Sequence, residues 1–305
     1  MAIDNYYGQK TGTTILQIFT EPKDGSESVI HRRLEDSEAY DTWHLSYYFK
    51  EVLEYKRLLE KSSIDFNDIP RHEKNLLLYL LFSANPEFKS ITELGSSLFE
   101  MIDGFETIEK YISDQNSPLT KLPIKEFTYV GIELSEMLQL TSRVIHPEYK
   151  IELFDSGSSY NKSVDIVYDR SVTNYAYENV DELVAFAKSG QAGLLNTYFS
   201  FEETFQSSRL GKTLTYFSLD EFMSKIDKPF YHLFGTKAPG PYSGQDISGG
   251  RQVIEGFFLY GDQATIDNFM ALSQKDPKVA QYFDEKEISP KDPFSLKPES
   301  LKAAS

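Results

Sequence analysis

Short apolar runs alternate with amphipathic stretches from about residue 87 to residue 261. Apolar runs of about four to eight residues between turn residues are typical of buried strands, and apolar positions three or four residues apart are typical of helices. The runs predict strands at 90–93, 127–133, 149–154, 163–169, 192–199, 213–217 and 253–261. Helical patterns separate most of these strands, so the chain is predicted to be an α/β protein built on a mostly parallel sheet.

Helical patterns also precede the first strand. They predict helices from about Ser37 and from about Glu73 to Ala84, and Asn85-Pro86 ends the second one because the residue before proline avoids the helical conformation. The proline-containing segment from Asp284 is predicted to be a loose surface tail. We therefore divide the chain into a helical N-terminal extension (1–85), a sheet domain (86–265) and a C-terminal helix with a loose tail (266–305).

Composition limits the partners and the compartment. The formal net charge of −16 repels nucleic acids and anionic membrane surfaces, so neither is expected as a partner. The chain has no cysteine, which excludes disulfides, thiolate metal sites and a cysteine nucleophile. The N-terminus lacks the pattern of a signal peptide, and the longest apolar run, 76–82, is too short to span a bilayer. We expect a cytoplasmic protein without a metal site.

Two acidic residues at predicted strand ends indicate a nucleotide-type ligand. Glu93 ends the first strand and precedes a tight turn that contains Gly95 and Ser96, and Glu133 ends the second strand. In an open α/β sheet, ligands bind at the carboxyl ends of the strands, where such a turn lets them approach the backbone. A carboxylate at the second strand end can accept two hydrogen bonds from a ribose diol.

Three segments carry a resemblance to a known family. Glu93-Leu94-Gly95-Ser96-Ser97-Leu98-Phe99 and Val130-Gly131-Ile132-Glu133-Leu134-Ser135 resemble the first two motifs of the class I S-adenosylmethionine-dependent methyltransferases, and 163–175 resembles their fourth-strand motif. The first segment departs from the family pattern because Ser97 and Phe99 stand where further glycines are usual. The resemblance implies a seven-stranded, mostly parallel, doubly wound sheet, with the N-terminal extension as a substrate lid.

The resemblance implies S-adenosylmethionine as the cofactor. Glu133 would accept the ribose hydroxyls, and Asp155 would hold the adenine amine, although an Asp before Ser-Gly is also an ordinary turn residue. Arg170 could meet a carboxylate of the cofactor or substrate, or form a salt bridge with a nearby acid. The implied cofactor-binding residues are Glu93, Gly95, Ser96, Ser97, Glu133, Leu134, Ser135, Asp155, Ser156, Asp169, Arg170 and Ser171.

The implied reaction is methyl transfer to a small-molecule acceptor by a monomer or homodimer. We expect the acceptor atom to be an oxygen of a sugar or natural-product hydroxyl, because the fourth-strand region also resembles a group of sugar O-methyltransferases. A hydroxyl must lose its proton, so a base is useful. The candidate catalytic residues are His232, placed in a substrate loop, together with Asn174 and Tyr175. A structural role is the alternative for the histidine.

Two other functions remain open from the sequence. A nicotinamide-dependent dehydrogenase shares the strand, turn and acid, but its fingerprint requires glycines at the positions of Gly95, Ser97 and Glu100, and the last two differ. Alternatively, the chain binds S-adenosylmethionine without methylating an acceptor, either as a cyclase or lyase that releases methylthioadenosine or as a noncatalytic partner. The tyrosine-rich segment 174–177 fits this alternative, since aromatic rings can hold a sulfonium.

Overall fold

A computed structural model of the chain describes residues 37–69, 72–133, 135–154, 162–209, 212–235 and 251–296. Its strands are β1 (Ser90–Leu94), β2 (Thr128–Ile132), β3 (Lys150–Phe154), β4 (Val164–Arg170), β5 (Gly190–Ser200), β6 (Phe205–Arg209), β7 (Lys212–Ser218), β8 (Phe230–Phe234) and β9 (Val253–Tyr260). Its helices are α1 (Ser37–Glu60), α2 (His72–Ala84), α3 (Glu100–Asp114), α4 (Glu136–Ile145), α5 (Thr173–Ala176), α6 (Val180–Lys188), α7 (Leu219–Ile226), α8 (Gln263–Ser273) and α9 (Pro277–Glu285).

In the described part of the chain nine strands form one sheet, and seven of them follow the order β3-β2-β1-β4-β5-β9-β8. The first five are parallel, whereas β9 runs antiparallel to both β5 and β8. The predicted seven-stranded, mostly parallel, doubly wound sheet is confirmed. One member differs from the prediction, because β8 was expected to be a loop and the predicted strand 213–217 lies in a hairpin outside this order.

Helices cover both faces of the sheet, and each face has its own core. On one face α2 and α3 pack against strand residues such as Ile91 and Ile166. On the other face α6 and α7 pack against residues such as Val167 and Phe199. Helix α2 is buried on all sides, since residues 76–82 are almost completely inaccessible, and this position explains its continuous apolar run.

The hairpin of β6 and β7 extends the sheet beyond the carboxyl end of β4. Strand β4 ends at Arg170, which is paired with Asn196 of β5, whereas β7 joins β5 further along, at Phe199 and Ser200. Strand β6 pairs with β7 in antiparallel fashion. The hairpin therefore stands at the edge of the sheet where the carboxyl ends of the parallel strands meet.

The opposite edge of the sheet is tied together by one side chain. The carboxylate of Asp165, at the start of β4, accepts hydrogen bonds from the main-chain N–H of Lys89 (2.8 Å) and Ser90 (2.9 Å) and from Nε2 of Gln191 (2.8 Å). These residues lie at the amino ends of β1 and β5. The Asp165 side chain thus joins the first residues of three neighbouring strands.

Part of the predicted loose tail packs against the sheet. After α9, Ile288 is buried, and the main chains of Lys291 and His232 exchange two hydrogen bonds of 2.9 Å. Ser289 N donates to Leu233 O. The prediction of a loose segment from Asp284 is therefore wrong for the residues up to 296, because this segment pairs with the outer edge of β8.

Candidate active site

The turn after β1 has a left-handed backbone at three alternate positions. Gly95, Ser97 and Phe99 have φ angles of 75°, 48° and 55°. Ser97 and Phe99 are the two positions at which the resemblance leads one to expect glycine. A left-handed residue with a side chain costs about 1–2 kcal/mol, so the turn keeps a glycine-type path at two positions without glycine. The buried Phe99 ring packs near Tyr129 of β2.

Within this turn, Gly95 has two reasons to be glycine: its φ angle is positive, and there is no room for a Cβ atom. A Cβ atom on Gly95 would lie 2.4 Å from Cγ2 of Val172, in the segment that follows β4. A Cβ on Gly131 of β2 would lie 2.4 Å from Oγ of Ser96 and 2.6 Å from the Phe99 ring. The turn therefore fits closely against the carboxyl ends of both neighbouring strands.

The carboxylate of Glu133 joins the end of β2 to this turn. Its Oε2 accepts a hydrogen bond from Ser97 N (3.0 Å) and its Oε1 accepts one from Ser135 N (3.0 Å). Ser135 is also the N-cap of α4, where its hydroxyl accepts from Leu138 N. Glu133 thus lies where the sequence predicted, at a strand end and next to the turn.

A cluster of buried charges lies beside Glu93, and we call Glu51, Lys74, Glu93, Glu100 and Arg170 the buried charge cluster. The Arg170 guanidinium makes a bidentate ion pair with the Glu100 carboxylate, with N–O distances of 2.5 and 3.1 Å. It also lies 3.4 Å from Glu51 and 3.9 Å from Glu93. The Arg170 side chain is 10% exposed and Glu93 is 1% exposed, so these charges interact in a low-dielectric environment.

Helix α1 contributes directly to this region. The ring of Tyr48 stacks on the Arg170 guanidinium at 4.6 Å, and the Tyr48 hydroxyl is hydrogen-bonded to the Ser97 side chain. Leu45 and Val52 of the same helix pack in a cluster with Leu98 of the turn. Part of the predicted N-terminal extension therefore lies on the turn and on the buried charge cluster.

Burial raises the pKa of Glu93 to about 8. Arg170 and Lys74 oppose this shift, while Glu100 and Glu133 reinforce it. Burial also lowers the pKa of Lys74. Burial therefore favours the neutral form of Glu93, and a cation brought next to it would favour the ionised form.

Asp169 does not face this cluster. Its buried carboxylate accepts hydrogen bonds from Val172 N (2.8 Å), Thr173 N (3.1 Å) and the Thr173 hydroxyl (2.7 Å), and thereby starts α5. Burial raises its pKa to about 7, although the hydrogen bonds from Thr173 and Val172 lower it. The placement does not fit the predicted contact of Asp169 with a cofactor amino group.

Asn174 joins two strands and Tyr175 lies outside. The Asn174 Nδ2 donates to Tyr198 O (3.1 Å) and Thr215 O (2.6 Å), and its Oδ1 accepts from Tyr198 N (3.1 Å). These contacts hold β7 to β5. Tyr175 is 44% exposed, and Ser171, with a left-handed backbone, accepts a hydrogen bond from Asn196 Nδ2.

The prediction that His232 lies in a substrate loop is wrong. It lies in β8, where its ring is buried against Phe258 and its Nε2 contacts the main-chain oxygen of Glu255 at 3.1 Å. The ring occupies space beside Gly256, whose Cβ would lie 2.7 Å from Nε2. Burial lowers the pKa of His232. A ring enclosed by the sheet in this way does not fit a base that faces an acceptor.

The remaining predicted residues have mixed outcomes. Ser96 is completely buried, and its hydroxyl has no hydrogen-bond partner among the residues that the structure describes. Leu134, Asp155 and Ser156 lie outside the described residues. Within the described ranges no group of three or more His, Asp or Glu could hold a metal ion. No helix in those ranges is long and apolar enough to cross a membrane.

The residues that surround Arg170 were not predicted from the sequence. The position of Glu51 could have been predicted from its spacing. It lies three residues after Tyr48 and four before Tyr55, on the apolar side of α1. A charged residue on an apolar helix face is expected to have a partner when it is buried. Lys74 and Glu100 carry no comparable signal, because only the packing of α2 and α3 brings them to Arg170.

No protein-family model and no curated protein matches the chain. Among solved structures it is similar to DesVI of Streptomyces venezuelae, with 16% identity over 63% of this chain and 91% of that chain and a TM-score of 0.38. It is also similar to the N-terminal domain of EvdMO1 in the presence of SAH and D-fucose, with 9% identity over 71% of this chain and 97% of that chain and a TM-score of 0.42. A third similar structure is SAM-bound CalS10, an amino pentose methyltransferase from Micromonospora echinaspora. The identity is 12% over 67% of this chain and 93% of that chain, and the TM-score is 0.39. These are distant likenesses.

Proposed function

We propose that the chain is an S-adenosylmethionine-dependent methyltransferase that acts on a small-molecule acceptor, at a hydroxyl oxygen of a sugar or a natural product. The observation that carries this proposal is the pairing of the turn after β1 with Glu133, which accepts hydrogen bonds from Ser97 N and Ser135 N at 3.0 Å. A carboxylate has about four acceptor sites, so this geometry is compatible with a ribose diol at the same side chain.

The residues of the turn and of β1 fit the two ends of this cofactor. Gly95 permits the left-handed path of a turn of the kind at which a ligand approaches the backbone. Glu93 is almost completely buried, and its Oε2 has no hydrogen-bond partner among the described residues. An unpartnered carboxylate oxygen of this kind suits an ammonium group such as that of the methionine end.

The chain itself would act mainly by positioning. When bound, the cofactor supplies a methyl group on a positively charged sulfur. Glu133 and Glu93 would fix the two ends of the cofactor, and Tyr48, stacked on Arg170 and hydrogen-bonded to Ser97, would cover the turn. Alignment of two reactants can contribute on the order of 7–11 kcal/mol to an in-line transfer. The N-terminal extension would serve as the lid on the substrate side.

Calorimetric titration with S-adenosylhomocysteine tests the cofactor assignment. We expect micromolar binding to the wild type and a loss of about 10- to 100-fold in Glu133→Ala, because hydrogen bonds to a charged group contribute about 1.5–3 kcal/mol. Glu152→Ala is the matched control, since Glu152 is an acid on the neighbouring strand β3 whose partner is Lys162. Glu133→Gln shows whether any loss comes from a disturbed turn.

The same titration distinguishes the alternative functions. Binding of NAD instead of S-adenosylhomocysteine, or equal affinity in wild type and Glu133→Ala, would contradict the proposal. Product analysis by mass spectrometry then separates methyl transfer, which leaves S-adenosylhomocysteine, from cyclase or lyase chemistry, which leaves methylthioadenosine.

A further inference from the structure

A row of polar side chains begins at the largely buried Arg170 and continues across the sheet through partly buried residues. Arg170 of β4 is paired with Asn196 of β5, and Tyr198 of β5 is paired with Glu255 of β9. Side chains two residues apart in a strand lie on the same face, and so do paired residues of neighbouring strands. These four side chains therefore share one face at the carboxyl edge of the sheet, and we call them the polar strip.

Hydrogen bonds fix the polar strip in place. The Tyr198 hydroxyl donates to the Glu255 carboxylate, and Asn196 Nδ2 donates to the Ser171 hydroxyl. Arg170 is held by its ion pair with Glu100. The side chains are thus oriented before any ligand arrives, which is what a specific small-molecule site requires.

Aromatic rings of the β6–β7 hairpin border the strip. The Tyr198 ring meets the Tyr216 ring at 5.8 Å in an edge arrangement, and Tyr216 stacks on Phe205 at 4.7 Å. Neighbouring strands are about 4.8 Å apart, so β9 lies roughly 10 Å from β4. A strip of this length with hydrogen-bonding groups and adjacent aromatic rings matches an acceptor with one or two polyhydroxylated rings.

We propose that the polar strip binds the acceptor as a polyhydroxylated ring and that Glu255 is the catalytic base that touches the reacting hydroxyl. This inference rests on the proposed function. The acceptor O–H gives its proton to the Glu255 carboxylate while the oxygen bonds to the methyl carbon. The carbon–sulfur bond breaks, and its electron pair stays on sulfur. The proton then leaves Glu255 for solvent.

The surroundings of Glu255 suit this role. Burial raises the pKa of its carboxyl, although the hydrogen bond from Tyr198 lowers it, and a raised pKa makes a carboxylate a stronger base. The titratable side chain paired with it on the neighbouring strand is Tyr198 of β5, whereas the ring of His232 of β8 lies on the other face of the sheet, beside Phe258. His232 contacts only the main-chain oxygen of Glu255 through a ring nitrogen, so it holds the strand rather than the acceptor.

The test measures acceptor binding and methyl transfer separately. Saturation-transfer NMR with D-fucose, in the presence of S-adenosylhomocysteine, reports binding without reaction. Transfer of a trideuteromethyl group to D-fucose, D-glucose, catechol and tyramine, followed by mass spectrometry, reports the acceptor class. The variants are Glu255→Gln and Tyr198→Phe. The control is Glu203→Gln, an exposed acid that pairs with Arg251.

We expect a sugar to be methylated and to show saturation transfer. Glu255→Gln should lower kcat by 100-fold or more and remove the acid limb of the pH profile, because a general base contributes about 10²–10⁴-fold. Its affinity for S-adenosylhomocysteine and its D-fucose signal should remain. Tyr198→Phe should weaken the D-fucose signal, and Glu203→Gln should match the wild type.

Several outcomes would overturn the inference. These are an unchanged rate in Glu255→Gln, methylation of catechol or tyramine alone, and a protein that binds S-adenosylhomocysteine but neither binds nor methylates any sugar of the panel. A protein that does not bind S-adenosylhomocysteine at all would instead refute the proposed function. The two failures are therefore distinguishable.

Discussion

At the scale of the residue, the turn after β1 shows that residues other than glycine can adopt the left-handed backbone that glycine usually provides. Ser97 and Phe99 adopt φ angles usual for glycine, and the strain of about 1–2 kcal/mol at each has to be offset by their surroundings. Phe99 is completely buried, and Ser97 N donates to Glu133. Packing and hydrogen bonding thus hold a conformation that the sequence alone does not favour.

Gly95 offers a direct test of this turn. Gly95→Ala should lower the free energy of unfolding by about 2–4 kcal/mol, because it combines a left-handed alanine with a contact of 2.4 Å to Val172. It should also weaken binding of S-adenosylhomocysteine. Urea denaturation and calorimetry measure the two effects.

Gly235→Ala is the matched control, since a Cβ there has only an ordinary contact of 3.7 Å with Glu255 O. Its stability should remain within about 0.5 kcal/mol of the wild type. Equal stability of both alanine variants would show that the turn at Gly95 relaxes at no cost.

The sequence predicted some residues of the site and missed others for physical reasons. Glu93, Gly95 and Glu133 could be placed together because consecutive parallel strands bring their carboxyl ends to one edge. Asp169 and Arg170 are neighbours in one strand and point to opposite faces, so only one of them could face the turn, and no local pattern showed which one. The place of Glu255, the proposed base, depends on the pairing of β9 with β5, which no local pattern specifies.

At the scale of the element, one side chain reinforces the main-chain pairing that attaches the β6–β7 hairpin to β5. Asn174 of α5 makes four hydrogen bonds, to Thr197, Tyr198 and Thr215. Asn174 was predicted as a catalytic residue, but its side chain bridges the main chains of β5 and β7 and so acts as a clamp between these two strands. The hairpin carries Tyr216, so this clamp also sets the border of the polar strip.

Asn174→Ala should lower the free energy of unfolding by about 2–3 kcal/mol, because buried polar groups lose their partners. Affinity for S-adenosylhomocysteine should stay unchanged, whereas D-fucose binding should weaken. Asn67→Ala, at an exposed position, is the control. A variant as stable as the wild type that had lost methyl transfer would favour a direct catalytic role for Asn174.

Two strands were missed in the sequence because of their surroundings. The segment 205–209 is mostly polar and lies at the edge of the hairpin, so it lacks an apolar pattern. The segment 230–234 is apolar and aromatic but stands beside a stretch rich in Gly and Pro, which favoured a loop. Pairing with β9 supplies the strand conformation there. Because the segment was predicted to be a loop, His232 was also predicted in the wrong place.

At the scale of the whole molecule, buried acids should make stability depend on pH. Burial raises the pKa of Glu93 to about 8 and those of Asp103 and Asp169 to about 7. The folded state then binds more protons than the unfolded state between the ordinary and the raised pKa values. Stability from these groups is present at low pH and is lost as the pH rises to about 8. The lowered pKa values of His146 and His232 act in the opposite direction, below about pH 6.5.

We therefore expect Tm to fall as the pH is raised from about 6.5 to 8.5. Glu93→Gln should reduce this slope, since the glutamine has no proton to lose, and Glu152→Gln should leave it unchanged. Scanning calorimetry at constant ionic strength measures the slope. A wild-type Tm that stayed constant or rose over this interval would show that the buried acids are ionised in the folded protein.

The carboxylate of Asp165 has a consequence for the opposite end of the sheet. It gives β1, β4 and β5 a common origin, from which each strand advances about 3.3 Å per residue. Arg170 and Asn196 are paired and reach the same level, and Glu93 lies opposite Tyr168, two residues before that level on the same face, because the distances from that origin are counted in whole residues. A single deletion inside β1 or β4 would turn every later side chain to the wrong face, so the spacing of the polar groups is inherited from an anchor roughly 16 Å away.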